Sequence, residues 1–281
     1  MRDRPKPPSL GARLWLIGAA VALLAGCSRP GADWRTERPD PQKDPPATGY
    51  VRPPQVGGAA RSADGGTVLS GAGEPDVRLR LASPDGGSYG ATADDGGRWS
   101  IALPPTTQVR LFGLSEELAG RVIQGEGYIA VLPAPGRPAV LLRAGAGAAP
   151  LEDAPAPQII AVDFDAAGGG VVSGAAAPGS AIRGLVDGAA AGETHAGPHG
   201  RYSMALAATL KAGAHHVQIQ SPAGTIDTAL DVSRASEPLT GLPYRGQRLG
   251  DRWRIDWLTP GGGPQTTVVF DAAGAAPGAT H

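Results

Sequence analysis

The residues of this chain that could do chemistry fall into four groups. The first is a single cysteine, Cys27, preceded by Leu24-Ala25-Gly26. A lone thiol cannot close an intramolecular disulfide or build a thiolate-rich metal site by itself. The second is a set of histidines: His195 and His199 flank a loop, and His215 and His216 precede an alternating stretch. Brought together, their imidazoles would suit zinc or copper. The third is Asp163 and Asp165 in "AVDFD", where convergent carboxylates could begin a calcium site that needs about six to eight oxygens. The fourth is Arg252, Trp253, Arg254 and Trp257 near the C-terminus. Exposed indoles stack on sugar rings and guanidinium groups bind carboxylates, so these four could bind a glycan or peptidoglycan.

Other chemistry has little to stand on. There is no Gly-x-Ser-x-Gly, no His-Glu-x-x-His, and no phosphate loop, since "GGGVVSG" lacks the lysine that would reach a phosphate. A formal charge of −1 gives no long-range attraction to nucleic acid. The expectation is therefore a chain that is not an enzyme and carries neither cofactor nor metal.

Cys27 gains meaning from what precedes it. Arg2, Arg4, Lys6 and Arg13 lead into an apolar run from Leu14 to Leu24, then small residues. This is the layout of a secretory signal, and about 11 apolar residues fall short of the roughly 20 that span a bilayer. Leu24-Ala25-Gly26-Cys27 resembles the lipobox of bacterial lipoproteins. The resemblance implies that residues 1–26 are removed and that Cys27 becomes a lipidated N-terminus carrying a diacylglyceryl group, with the amino group acylated as well. Two or three acyl chains hold a protein stably on a membrane, where one does not. Ser28, where an aspartate in that family signals inner-membrane retention, favours the outer membrane of a bacterial envelope.

The elements that must position the other groups can be read in turn. With 43 Gly and 28 Pro in 281 residues, part of the chain is expected to be unfolded tether. Residues 27–66, with "RPDPQKDPP" and "VRPP", show no apolar periodicity and read as a disordered Pro-rich linker. Two alternating stretches follow: Val77, Leu79, Leu81, and then Trp99, Ile101, Leu103 after the turn "DDGG". The pattern returns later. Pairing Gly71 with Gly174 sets an offset of 174 − 71 = 103, which also carries Pro75 onto Pro178, Gly97 onto Gly200, Arg98 onto Arg201 and Trp99 onto Tyr202. No gap is needed from Val68 to Leu103, so a structural unit is duplicated. "QVRLFG" matches "HHVQIQ" only with about five residues inserted in the second copy. At this offset His195 and His199 fall on Thr92 and Gly96, which is how variable turn residues behave.

Gly71-Ala72-Gly73-Glu74-Pro75 with Ala93-Asp94-Asp95-Gly96-Gly97-Arg98-Trp99-Ser100, and Gly174 to Gly179 with Gly200-Arg201-Tyr202-Ser203, resemble the bacterial Ig-like repeats of surface and envelope proteins. The resemblance implies an all-β fold of two tandem Ig-like β-sandwich domains, at 67–145 and 158–234, joined by a flexible link at 146–157 that lets them move independently. Residues 235–281 read as a C-terminal β-hairpin extension and disordered tail, turning at Thr259 to Pro264. Trp253, Ile255 and Trp257 share one face of it, Arg252, Arg254 and Asp256 the other, and Val268 and Phe270 are placed to pack across the turn. The tryptophans are then either a sugar platform or the buried side of strands added to the second domain. The function expected is that of a non-catalytic envelope lipoprotein in an outer-membrane complex, with a protein partner; glycan binding through the tail is the alternative.

Overall fold

A computed structural model describes residues 51–154, 156–233 and 239–271, and from Arg52 onward they belong to one compact unit. Among the described residues all regular structure is strand, arranged as two tandem Ig-like β-sandwiches. The first contains β1 (Gln55–Arg61), β2 (Thr67–Ala72), β3 (Arg78–Ala82), β4 (Ser88–Thr92), β5 (Arg98–Leu103), β6 (Arg110–Leu118), β7 (Arg121–Gln124), β8 (Tyr128–Val131), β9 (Ala139–Leu142) and β10 (Ala149–Pro150). The second contains β11 (Gln158–Asp165), β12 (Gly170–Ala175), β13 (Ala181–Val186), β14 (Ala189–His195), β15 (Arg201–Ala205), β16 (Gly213–Ser221), β17 (Gly224–Val232), β18 (Tyr244–Leu249), β19 (Arg252–Leu258) and β20 (Pro264–Phe270).

The duplication is visible strand by strand. β1 to β5 correspond in order and register to β11 to β15 at the offset of 103, down to a bulge between Val56 and Gly58 that returns between Ile159 and Ala161. Gly71 faces Trp99 across β2 and β5, and Gly174 faces Tyr202 across β12 and β15. A Cβ on Gly71 would stand 1.9 Å from the Gln55 carbonyl oxygen and 2.7 Å from the Trp99 ring; on Gly174 it would stand 2.1 Å from the Gln158 carbonyl oxygen and 2.3 Å from the Tyr202 hydroxyl. The missing side chain leaves room for the aromatic ring of the neighbouring strand to pack over the glycine, which restores the burial the glycine gives up. Gly97 and Gly200 hold the turns with φ of 76° and 67°, a region that L-residues avoid.

Alternation buries the expected faces. Leu79 and Leu81 are fully buried, and Trp99, Ile101 and Leu103 join them in the first core. Val217, Ile219, Leu230 and Val232 join the second, and Ile226 is buried as well. The expected insertion is smaller than about five residues. Leu81 pairs with Leu114, and its counterpart Gly184 pairs with Ile219, so β6 and β16 correspond at 219 − 114 = 105, two residues beyond 103.

The boundaries shift where pairing reaches beyond the repeated pattern. β1 lies within the stretch read as tether, yet its register with β2 makes it part of the first sandwich. The tail supplies three strands, and they enter the second sandwich through β20, which pairs with β11. This gives a six-stranded sheet in the order β15-β12-β11-β20-β19-β18 facing a four-stranded sheet, β14-β13-β16-β17. In the first sandwich the extra strands join the opposite sheet, giving β10-β9-β8-β6-β3-β4 with β7 also on β6, over the three strands β1-β2-β5.

The described residues of 146–157 do not form a loose link. Ala148 and Leu151 are buried, β10 pairs with β9, and the Ala59 amide donates to the Leu151 carbonyl at 2.6 Å. A third apolar cluster continues from there between the sandwiches, joining Leu132, Val140 and Leu142 of the first to Ile160, Ile255 and Trp257 of the second. Independent motion is thereby corrected. Separating the sandwiches would expose that apolar layer to water.

Candidate functional site

The layer between the sandwiches collects most of the chain's unusual side chains, and the pleat of β19 decides which way each points. Successive residues of a strand face opposite sides, so Trp253, Ile255 and Trp257 turn to the first sandwich while Arg254 and Asp256 turn inward to the second. Trp257 is 0% exposed; its indole N–H donates to Thr267 Oγ1 at 3.1 Å, and its ring meets Tyr128 edge-on at 5.9 Å. Trp253 is buried beneath the Arg248 guanidinium, 5.3 Å from the ring centre. Neither indole presents a face to solvent, so neither can stack on a sugar ring, and the glycan site expected at Arg252, Trp253, Arg254 and Trp257 is corrected. The residues across from them also differ from expectation. Val269, Thr267 and Gln265 oppose Trp253, Ile255 and Trp257, and Val268 and Phe270 turn to the core of the second sandwich.

The arginines serve the sheets. Arg254 donates to both oxygens of Asp256, to Ser233 Oγ at 2.7 Å and to the Ser233 carbonyl at 2.7 Å; Thr266 also donates to Asp256, at 2.6 Å. Arg252 donates to the Ala229 carbonyl of β17. The two guanidinium groups therefore take one carbonyl on the outer edge of β17 and one just past its end. Beside that edge a cavity of about 780 Å³ opens, walled by Phe164, Leu210, Val232 and Leu258, with Asp256 and Thr266 on its floor. The charged group on that floor, Asp256, is already paired with Arg254, which is what burial of an ion requires.

Two further charged groups sit in the layer. Arg137, 2% exposed, lies in the turn between β8 and β9 and donates to Glu152, to Gln158 Oε1 at 2.8 Å and to the Phe270 carbonyl at 2.9 Å. It thus ties the first sandwich to the connecting segment and to two strands of the second. Burial raises the Glu152 carboxyl above its ordinary range, more than the Arg137 guanidinium lowers it. In the sequence, "APGRPAV" looks like any polar turn, and no local signal marks Arg137 as a buried pin.

Asp163 is the second group. Its Oδ2 accepts the Ala148 amide at 2.9 Å, and its Oδ1 accepts Thr267 Oγ1 at 2.5 Å and Gln265 Nε2 at 3.5 Å. Burial pushes its carboxyl up to about 6, although those hydrogen bonds and the charge of Arg143 act to lower it. Asp165 instead closes a tight turn, accepting the Ala167 and Gly169 amides at 2.8 and 2.9 Å. Both carboxylates are committed to the protein's own donors, so the expected pairing of the two around calcium is not the arrangement present.

The histidines do not come together. His215 Nδ1 meets Asp187 at 2.7 Å and its Nε2 meets the Lys211 carbonyl at 2.8 Å, while His216 Nε2 meets Asp227 at 2.8 Å. The hydrogen bond to Asp187 raises the His215 pKa. His195 ends β14, paired with Ala181, and His199 lies in the turn before β15. Among the described residues no three His, Cys, Asp or Glu side chains converge as a metal site. Cys27 lies outside the described residues.

No protein-family model and no curated protein matches the chain. Among solved structures it is similar to the BSP domain of a biofilm-associated protein, at 14% identity over 66% of this chain and 30% of that one, with a TM-score of 0.23. It is also similar to the central fibronectin-III array of RIM-binding protein, at 10% identity over 80% of this chain and 87% of that one, with a TM-score of 0.25.

Proposed function

We propose that this chain is a non-catalytic lipoprotein of the bacterial cell envelope, anchored through Cys27, most simply in the outer membrane, that presents a rigid pair of Ig-like sandwiches to a protein partner as a structural or assembly component. The observation that carries the reading is the apolar layer between the sandwiches. It engages the tail tryptophans, Arg137 and Asp163 internally and leaves sheet edges and loops as the surface on offer. A fixed body on a Pro-rich tether suits holding a partner at a set distance from a membrane, since binding costs less when the binder is already ordered.

Two measurements test it together. Cells fed a tagged palmitate should label the protein, and Cys27→Ala should abolish both the label and membrane retention. A pull-down from detergent-solubilised envelope should recover a protein in fixed stoichiometry. An unlabelled protein found free of membrane, or one that retains no partner, would overturn the proposal.

A further inference from the structure

A neutral imidazole carries one N–H, so a histidine whose two ring nitrogens both face acceptors satisfies them only when it is doubly protonated. His215 is such a residue. Its Nδ1 meets Asp187 Oδ2 at 2.7 Å and its Nε2 meets the Lys211 carbonyl at 2.8 Å. Neither partner donates. A peptide carbonyl has no proton, and the Asp187 carboxyl is held below its ordinary range by the His216 amide, which donates to Oδ1 at 2.8 Å, and by His215 itself. The His215 side chain is 13% exposed, on the face of β16 that carries Val217 and Ile219 into the core, so water reaches little of the ring.

The ring joins segments that are otherwise separate. Asp187 lies in the turn between β13 and β14 with φ of 52°, a left-handed conformation that aspartate tolerates, and its own amide donates to the His216 carbonyl at 2.9 Å. Lys211 belongs to residues 206–212, which cross from β15 in one sheet to β16 in the other. That crossing is seated at Leu210, whose side chain is buried in the second core and whose amide donates to the Gly168 carbonyl at 2.8 Å. Leu210 and Lys211 also wall the cavity of about 780 Å³. Between Leu210 and Gly213, where β16 begins, the bond to His215 is the tie that the crossing receives among the described residues.

We infer that His215 is a proton-operated latch: as an imidazolium it pins the crossing at Lys211, and with it one wall of the cavity, to the turn between β13 and β14, and loss of its proton releases that wall. The inference is independent of the proposed anchoring and partner. On deprotonation Nε2 gives its proton to water. The remaining N–H stays with the Asp187 carboxylate, since a charge-assisted hydrogen bond is about twice as strong as a neutral one, and the bare Nε2 turns a lone pair on the Lys211 carbonyl. Asp187 is the charge that acts on the ring. On β17, Leu230 lies opposite His215, while Asp227 and Asp231 are on the outer face, the former meeting His216. Across the cavity Asp165 is taken by its own turn and Asp256 by Arg254. The hydrogen bond to Asp187 raises the His215 pKa, so the latch is closed below the ordinary value of 6.5 and opens as pH rises through the higher folded value.

The test uses the full chain carrying isotope-labelled histidine. Ring-nitrogen spectra should show His215 more than half doubly protonated at pH 6.5, where an ordinary imidazole is half neutral. As pH rises through its titration, exchange of the Leu210 amide, corrected for the intrinsic pH dependence of exchange, should speed roughly tenfold. His215→Gln cannot titrate there, and the acceleration should be absent from it. Because Asp163 is common to both proteins, their difference isolates the latch. Asp187→Asn should carry the titration and the acceleration to lower pH together, a result that general loosening of the fold would not produce. A ring already half neutral at or below pH 6.5, Leu210 exchange that follows only its intrinsic pH dependence, an acceleration that persists in His215→Gln, or one left at its original pH in Asp187→Asn would each overturn the inference.

Discussion

The two sandwiches share five strands in register and then part company, each extending a different sheet. The first continues from β6 into β8, β9 and β10; the second adds β20, β19 and β18 beside β11. The two additions face each other and form the apolar layer between them. Duplication alone yields two similar bodies with two similar sets of edges. The unlike additions make those bodies one, because each covers surface that the other would expose. Polar groups follow the same division: Ala60 in the first copy is exposed, whereas its counterpart Asp163 is 1% exposed and binds a backbone amide of the connecting segment.

The strongest way to break this asymmetry is Trp257→Ala. The side chain is fully buried in the layer and has no counterpart in the repeated strands. Removing a large buried aromatic costs about 3–5 kcal/mol, transfer and cavity together. In urea the midpoint should fall accordingly, and unfolding should separate into two transitions as the sandwiches lose their common layer. A single transition with a loss under about 1 kcal/mol would mean that the layer contributes little to coupling.

Asp163→Asn probes the same layer through pH. The carboxyl sits near 6 when folded against an ordinary 3.8, so the protonated form is favoured by folding. Its stabilising contribution is complete below 3.8 and is lost as pH rises through about 6. By neutral pH the loss is about 3 kcal/mol. Melting curves of the unmodified chain should therefore show stability declining between about pH 4 and 6.5, and the asparagine variant should lack that component. His215, raised by Asp187, changes stability in the same direction but is common to both proteins, so the difference between them isolates Asp163. Parallel curves for the two proteins would count against a buried carboxylate at the joint.

What could be read from the chain and what could not divide along the same line. Glycines opposite aromatics, turn glycines and alternating apolar residues are local or cross one turn, so the repeated strands were legible, as were the opposite faces of β19. The partners of those faces were not. Trp257 has the composition of a sugar platform and of a buried strand alike, and only the position of Tyr128, 129 residues earlier by 257 − 128, separates the two. The link "AGAGAAPLEDAPAP" looks like a spacer because its small residues and prolines carry no period, yet Ala148 and Leu151 are buried by strands far away in sequence. The candidate carboxylates Asp163 and Asp165 differ for the same reason. Asp165 makes a local turn, while Asp163 takes donors from Ala148 and Thr267, which adjacency in sequence does not reveal.

The smallest expected effect sharpens the comparison within the repeat itself. Tyr202 and Trp99 occupy the same site over a glycine, but only the tyrosine has its polar atom satisfied: its hydroxyl donates to the Gln158 carbonyl at 3.1 Å, while the Trp99 indole N–H is buried without a partner. Burial also raises the Tyr202 phenol, so it stays protonated and able to donate. Tyr202→Phe should cost about 1 kcal/mol, the net worth of one buried hydrogen bond, read as a shift of the urea midpoint at unchanged slope. Trp99→Tyr is the reciprocal experiment. It gives up apolar area but places a hydroxyl where the Gln55 carbonyl corresponds to that of Gln158, so the two terms should nearly cancel. A loss for Trp99→Tyr well above that for Tyr202→Phe would show that the two glycine–aromatic pairs, though in register, are not equivalent in geometry.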